Sequence, residues 1–594
     1  MLTELPANRF TYEAMYTDPP ASGSHYDTVV VGSGFGGSVT AYRLAEAGRR
    51  VCLLERGKAY PPGAFPRSPY RMSRNFWDPT CGLYGLYDYW SFSGLNALVS
   101  SGLGGGSLIY ANVLLRKDER WFVDEGGPDG PVERWPVSRA DLDPHYDRVE
   151  RMLRATPYPF GEPPYDATEK TIAFREAAER TGRDWFLPPL AVTFGNDGEA
   201  PRPGVAIREP HPNLHGAARY LCRLVAECDF GCNFGSKNSL DFNYLSAAER
   251  LGAEIHTRCD VRLIEPREGG GYTIGLIHHA PEHDGEPIDL FDPAVVRHRV
   301  SADRLVLAAG TLGTVRLILR NRSAFPRISR MLGRRFCGNG DLLTFAVKPY
   351  EESGGRRVPR VIDPSFGPVI TIAVREPDEA DGGHGRGFYL EDAGFPDWLA
   401  WMLQLVEAPG DLWRLGAEGR RLARERLRGD RYRHTGRSAL LSAMFGATQL
   451  SAGVLPLLGM GRDVPDGRMY LRHNHLQVDW RKGRSRSRSR PARSAPYFDR
   501  ARAVSLEFAT ALGARFRDDP IWFMGRVITV HPLGGCPMGR SPEEGVVSPS
   551  GEVFGYPGLH IADGSVMPGP VGANPSLTIA AIADSFADAM VGER

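Results

Sequence analysis

Apolar positions in this chain come in short unbroken runs closed by glycine-rich turns, alternating with stretches of helical period. Val29, Val30 and Val31 form such a run and predict a parallel strand buried on both faces. Residues 38–48 predict a helix and 50–54 a second strand. The same order returns at 304–319: an apolar strand, a turn at Gly310 and Gly313, then a helix. Further strands are expected at 253–257, 261–264, 367–373, 387–390, 527–530 and 559–562. Helices are expected at 143–153, 218–225, 399–427 and 577–590. In 143–153, Asp143 is the expected N-cap, Pro144 the first helical residue, and Tyr146, Val149 and Leu153 one apolar face. Residues 61–90, rich in Pro, Gly and aromatics, predict a long loop. The alternation of strands and helices predicts an α/β protein.

Glycine spacing then changes the picture. Gly32, Gly34 and Gly37 stand at G-x-G-x-x-G spacing between the first strand and its helix. The first glycine permits a tight turn, the second lets backbone approach a pyrophosphate, and the third lets helix pack on strand. The following helix directs its N-terminal N–H groups at the phosphates. Glu55 ends the second strand, where a carboxylate accepts from a ribose hydroxyl. The expectation is a dinucleotide-binding unit. A second backbone-approach site is expected at Gly104, Gly105, Gly106 and Ser107.

Size and charge add limits. At 594 residues the chain exceeds one common core, so two domains or an interleaved pair are expected. A formal net charge of +1 gives no reason to expect a nucleic acid. Residues 1–24 read as a loose leader without the apolar core of a signal peptide, and no apolar stretch is long enough to span a bilayer. Eight scattered cysteines are not a disulfide framework, so a cytoplasmic setting is expected. Cys222, Cys228 and Cys232 lie close in sequence, but the first gap is wide and no fourth ligand is nearby, so no metal is expected. Residues 482–494 carry an Arg-Ser tract that predicts an exposed basic loop.

Near the C-terminus, the strand at 527–530 leads to His531 at a Gly/Pro-rich turn, with Cys536 just beyond. The strand at 559–562 delivers Asp563 and Gly564 to its C-terminal end, where ligands sit in open α/β sheets. Asn574 and Pro575 precede the last helix, so the N–H groups of Ser576 and Leu577 can face an anionic or electron-rich edge.

These motifs together resemble the glucose–methanol–choline (GMC) oxidoreductases, in their bacterial cholesterol-oxidase-like branch. The resemblance rests on Gly32/Gly34/Gly37 with Glu55, on Gly104–Ser107, on Ala308-Ala309-Gly310-Thr311, on His531-Pro-Leu-Gly-Gly and on Asp563 through Pro575. It implies FAD and a Rossmann-like FAD domain interleaved with a substrate domain, the latter an antiparallel sheet with helices. Residues 25–340 would be mainly the FAD domain, with cap segments inserted at about 130–250. Residues 341–520 would be mainly the substrate domain, and 521–594 a return to the FAD domain. Implied cofactor contacts are Gly32, Gly34, Phe35, Gly36, Gly37, Glu55, Gly104, Gly105, Gly106, Ser107, Asn112, Val261, Ala309, Gly310, Asp563, Gly564, Asn574, Pro575 and Ser576. Tyr110 stands where the compared cholesterol oxidases place an asparagine, and Asn112 follows two residues later.

The implied activity is oxidation of an alcohol, first a hydrophobic or steroid 3-hydroxyl, to a ketone, with O2 as acceptor and double-bond isomerisation in addition. His531 takes the place of the active-site histidine, Asn574 of its asparagine partner, and Glu391 of the glutamate that moves a proton during isomerisation. Two other readings stand beside it: a dehydrogenase that passes electrons to a quinone or a protein, and a flavin-binding interaction protein without catalysis.

Overall fold

The structure, a computed structural model, describes residues 18–126, 133–290, 292–399, 453–480, 493–520, 522 and 526–592. The first sheet has seven strands. His25–Val31 pairs in parallel with Val51–Leu54 on one side and His298–Leu307 on the other, and Glu254–His256 extends the parallel part beyond Val51–Leu54. The far edge of His298–Leu307 is shared. Its first half pairs antiparallel with Tyr272–His278, itself paired with Cys259–Pro266, and its second half pairs in parallel with Leu559–Ile561. Every residue of Val51–Leu54 and Leu559–Ile561 is buried, as apolar runs enclosed by cover on both faces require. The helix Phe35–Glu46 packs against Ser576–Gly592, and Ser576–Gly592 against Arg139–Leu153.

A second sheet of six strands is antiparallel throughout, in the order Trp185–Phe186, Ala373–Glu376, Phe388–Asp392, Val454–Gly461, Leu342–Val347, Arg515–Asp518. Glu391 and Leu343 flank Leu458 from opposite sides. With strands about 4.8 Å apart, they stand about 10 Å from each other in one row. A three-stranded sheet joins Tyr87–Phe92, Leu95–Ser100 and Val527–Thr529, and His531 follows two residues after its last strand.

Several local expectations need correction. The helix at 143–153 starts earlier, at Arg139, because Ser138 and Asp141 form a capping box, and Pro144 is accommodated inside it. Tyr146, Val149 and Leu153 are its buried face, as expected. Residues 218–225 are not helical: Leu224 and Ala226 have φ of 60° and 47°, and the segment forms isolated bridges to Ala206 and Gly367. The 61–90 loop holds the short helix Pro69–Ser73 and the start of the hairpin Tyr87–Phe92/Leu95–Ser100. The strand expected at 367–373 begins only at Ala373. The first helix starts at Phe35, three residues ahead of expectation. The helices expected at 399–427, beyond Leu399 itself, and the basic loop at 482–494, up to residue 492, lie outside the described residues. Among the described residues no helix is long and apolar enough to cross a membrane.

Candidate active site

The two glycine loops lock into each other. Gly104 N–H donates to Ser33 Oγ at 3.0 Å. A Cβ on Gly105 would meet Gly34 Cα at 2.6 Å. Phe35 meets Tyr110 edge-to-face at 5.5 Å. Gly32 takes φ of 99° and packs on the carbonyl of Ala308, while Gly36 packs on that of Ala562. Four motifs far apart in sequence therefore meet at the C-terminal ends of the parallel strands: residues 32–37, 104–110, 308–310 and 562–564.

Glu55 is buried at 5% exposure. Its Oε2 accepts from Ser33 N–H (3.0 Å) and Oγ–H (2.6 Å), and its Oε1 from Gly57 N–H (2.8 Å). The carboxylate thus holds the first glycine turn to the end of the second strand, and Oε1 keeps one acceptor position. Val261 is buried in Cys259–Pro266, whose first residue donates its N–H to the Glu55 carbonyl.

The cradle suits a dinucleotide. A Cβ on Gly34, Gly106 or Gly310 would stand in open space, so backbone is bare on the side a ligand would approach. The helices Phe35–Glu46 and Gly310–Arg320 both begin without a side-chain cap or an acidic residue in the first turn. The positive end of Phe35–Glu46 is free for phosphate, whereas that of Gly310–Arg320 already carries the Asp563 carboxylate, which accepts from the Gly310 N–H. Asn112, with φ of 73° and 0% exposure, has neither carboxamide atom partnered. Ser107 instead braces its own loop, donating to Gly104 O and accepting from Leu240 N–H. Asp563 is also committed to the scaffold, accepting from Thr314 Oγ1 (2.5 Å) and Ser565 N–H (2.8 Å). Gly564 opens the short turn Gly564–Val566, and Ser576 starts the last helix.

His531 and Asn574 are set by a segment that sequence reasoning missed. Asp341 Oδ1 lies 2.7 Å from His531 Nδ1. Its Oδ2 accepts from Thr529 Oγ1 (2.8 Å), Val530 N–H (2.8 Å) and His531 N–H (3.2 Å). Two residues earlier, Asn339 brackets the loop before Asn574: Gly572 N–H donates to its Oδ1 and its Nδ2 donates to Ala573 O, both at 2.9 Å. Lys117 closes the same loop, donating to Pro570 O at 2.9 Å. Burial pushes its ammonium down to about 7.

Asn574 Nδ2 donates to Glu391 Oε2 at 3.4 Å. Glu391 is 0% exposed and its Oε1 has no partner. Burial pushes its carboxyl up to about 8; the Asn574 hydrogen bond opposes this, and the charges of Asp392 and Asp341 add to it. Asp392 is itself neutralised by buried Lys170 at 2.5 Å. The fold thus holds Glu391 protonated well above its unfolded value. Native protein binds more protons than unfolded chain between about 4.5 and 8, so stability falls as pH rises through that window. Glu391→Gln is expected to raise Tm, with a larger gain at pH 9 than at pH 5. A gain independent of pH would place the proton elsewhere.

A third carboxylate, Asp229, also went unnoticed in the sequence. Its turn is docked on the second glycine loop by Lys237, whose Nζ donates to Cys228 O (2.8 Å), Tyr110 O (2.9 Å) and Leu108 O (3.1 Å). Burial pushes Asp229 up to about 6, against the opposing charges of Lys237 and His531. Cys536 is wholly buried behind this region. Cys222, Cys228 and Cys232 are free thiols. Among the described residues, the one group with metal-like spacing is His145, Asp584 and Asp588, and Arg43 and Arg148 already pair with both of its carboxylates.

Comparisons with known proteins agree with this geometry. Family models match residues 498–583, as GMC oxidoreductase, and 30–63, as NAD(P)-binding Rossmann-like domain. A cholesterol oxidase of Mycobacterium tuberculosis is 28% identical over 95% of this chain and 90% of its own. One from Acinetobacter baumannii is 27% identical over 94% and 93%. Paromamine 6'-oxidase of Streptomyces fradiae is 26% identical over 96% and 92%. In fold, the chain is similar to a solved pyridoxine 4-oxidase from Mesorbium loti (TM-score 0.52, 16% identity, 95% and 99% covered). With the interlocked cradle and the residues gathered around Asn574, the GMC oxidoreductase match at 498–583 and the likeness to cholesterol oxidases over most of the chain make this an FAD-dependent oxidoreductase acting on CH–OH groups.

Proposed function

We propose that the enzyme oxidises a bulky hydrophobic alcohol, with a steroid 3-hydroxyl as first choice, to the ketone, and that O2 reoxidises the cofactor. The observation that carries this reading is Glu391: a wholly buried carboxyl within reach of Asn574 and held near neutral pKa, as proton transfer between carbons requires. The cholesterol oxidases among the relatives support the substrate class.

FAD, when bound, supplies the hydride acceptor. Gly34, Gly106, Gly310 and the open N-terminus of helix Phe35–Glu46 would hold it, with the free acceptor position of Glu55 on a ribose hydroxyl. The chain's part is proton management. A carboxylate only accepts, so the hydrogen bond to Asp341 puts the His531 proton on Nδ1 and leaves Nε2 as the acceptor for the alcohol proton. Asn574 donates to the alcohol oxygen and stabilises charge that develops there. For a 3-hydroxy-5-ene steroid, ionised Glu391 takes a proton from the carbon between ketone and alkene and returns it to the far alkene carbon. One C–H bond breaks, one O–H forms, and the sequence then reverses.

Anaerobic bleaching of the flavin by sterols, aliphatic alcohols, aryl alcohols and amino sugars tests the substrate class, and peroxide formation in air tests the acceptor. Bleaching by amino sugars but not sterols would overturn the steroid choice. Glu391→Gln is expected to leave flavin reduction within about tenfold and to lower isomerisation by about 10²–10⁴-fold. In the wild type, isomerisation is expected to rise with pH toward about 8, as Glu391 ionises. A flat profile would remove Glu391 from the step.

A further inference from the structure

We propose that Asp341 is a positioning residue that fixes the tautomer of His531, and that this polarity is set by the three donors on its other oxygen. The proposal rests on the reading of His531 as proton acceptor.

Asp341 lies at 4% exposure in the segment from Gly338 to Asp341, which is held from both sides. Beneath it, Gly338 N–H donates to Asp463 Oδ2 at 2.9 Å and Gly461 N–H to Asn339 O at 2.9 Å. Tyr497 O–H donates to Gly340 O at 2.8 Å. The carboxylate of Asp341 therefore cannot swing away. Its Oδ2 sits among Thr529 Oγ1, Val530 N–H and His531 N–H, and two of these are backbone groups with no freedom to reverse. Its Oδ1 is left for a single partner, His531 Nδ1. The backbone of His531 and its ring are thus tied to the two oxygens of one carboxylate.

This arrangement makes Asp341→Asn a directed change rather than a simple loss. The oxygen of the new carboxamide must take the place of Oδ2, because an NH2 there would face two N–H groups. The NH2 is then turned toward His531 Nδ1. An amide nitrogen only donates, so Nδ1 must give up its proton and Nε2 must carry it. The ring keeps its place but presents a donor where the alcohol O–H needs an acceptor. Loss of the correct tautomer at a comparable carboxylate–histidine pair costs about 10⁴ in turnover.

The test has two arms. In the first, the 15N shifts of the His531 ring are read on resting holoenzyme without alcohol, assigned by their loss in His531→Gln. Wild type is expected to carry the proton on Nδ1 and Asp341→Asn on Nε2. In the second, flavin reduction by Asp341→Asn at pH 7 is expected to fall about 10²–10⁴-fold, with FAD content and Tm retained. Turnover within threefold of wild type, or a wild-type ring protonated on Nε2 alone, overturns the proposal. If Asp341→Asn does not take up FAD, the wild-type spectrum decides by itself. Because that spectrum needs no substrate, its failure is separable from failure of the catalytic reading, which is judged by flavin reduction in His531→Ala.

Discussion

Replacement of His531 by alanine is expected to slow anaerobic flavin reduction by about 10²–10⁴-fold while the protein stays yellow. The retained colour follows from where the histidine sits. Its ring bonds to Asp341 and its backbone to Asp341 and Thr529, all in the wall beside the cradle. None of the glycine contacts or the Glu55 hydrogen bonds that shape the cradle involves it. The deficit should lie in the rate of reduction rather than in apparent substrate affinity, because proton acceptance matters only as the C–H bond breaks. Stopped-flow reduction across a range of alcohol concentrations separates the two. Near-normal reduction would assign the proton to another group, and Asp229, whose carboxyl senses the charge of His531, would be the first to examine.

Gly105→Ala is expected to have the opposite signature: a folded but pale protein. Gly105 takes φ of 54°, which strains any side chain. Its new Cβ would meet Gly34 Cα at 2.6 Å and Gly34 N at 3.0 Å. Either loop must shift, and both line the cradle. Overpacking of this kind costs about 1–3 kcal/mol, which corresponds to FAD binding weakened by about 5–150-fold if it falls on the bound form. Gly161→Ala is the control, since its Cβ meets nothing within 4 Å and its φ is not positive. Titration of stripped protein with FAD, followed by flavin fluorescence, measures the difference. Equal affinity in both variants would mean that the two loops do not need their observed contact.

The cradle was legible in the sequence because its signals are local. Gly32, Gly34, Gly37 and Glu55 lie within one strand–helix–strand unit, where spacing alone reports geometry. His531 and Asn574 stand out at strand- and helix-end turns, but their catalytic roles, and Glu391 altogether, come from resemblance; the structure places Asn574 against Glu391. Asp341 and Asn339 were not legible. They are short polar residues in a turn, and no spacing links Asp341 to a histidine 190 positions away. Asp229 was hidden for the same reason. The local misreadings have local causes. The Ser138-x-x-Asp141 capping box was passed over for Asp143 and Pro144. At 218–225, helix-compatible residues are held in open backbone by tertiary bridges, which override so short a propensity signal.

The shared edge of strand His298–Leu307 has a consequence for biogenesis. Until Leu559–Ile561 is in place, residues 305–307 present a bare, apolar β-edge, the kind of template on which chains stick to one another. Asn574 arrives later still. Ribosomal synthesis therefore passes through a long interval in which most of the sheet exists but its seam is open, and a chain stopped before residue 559 should accumulate as colourless aggregate.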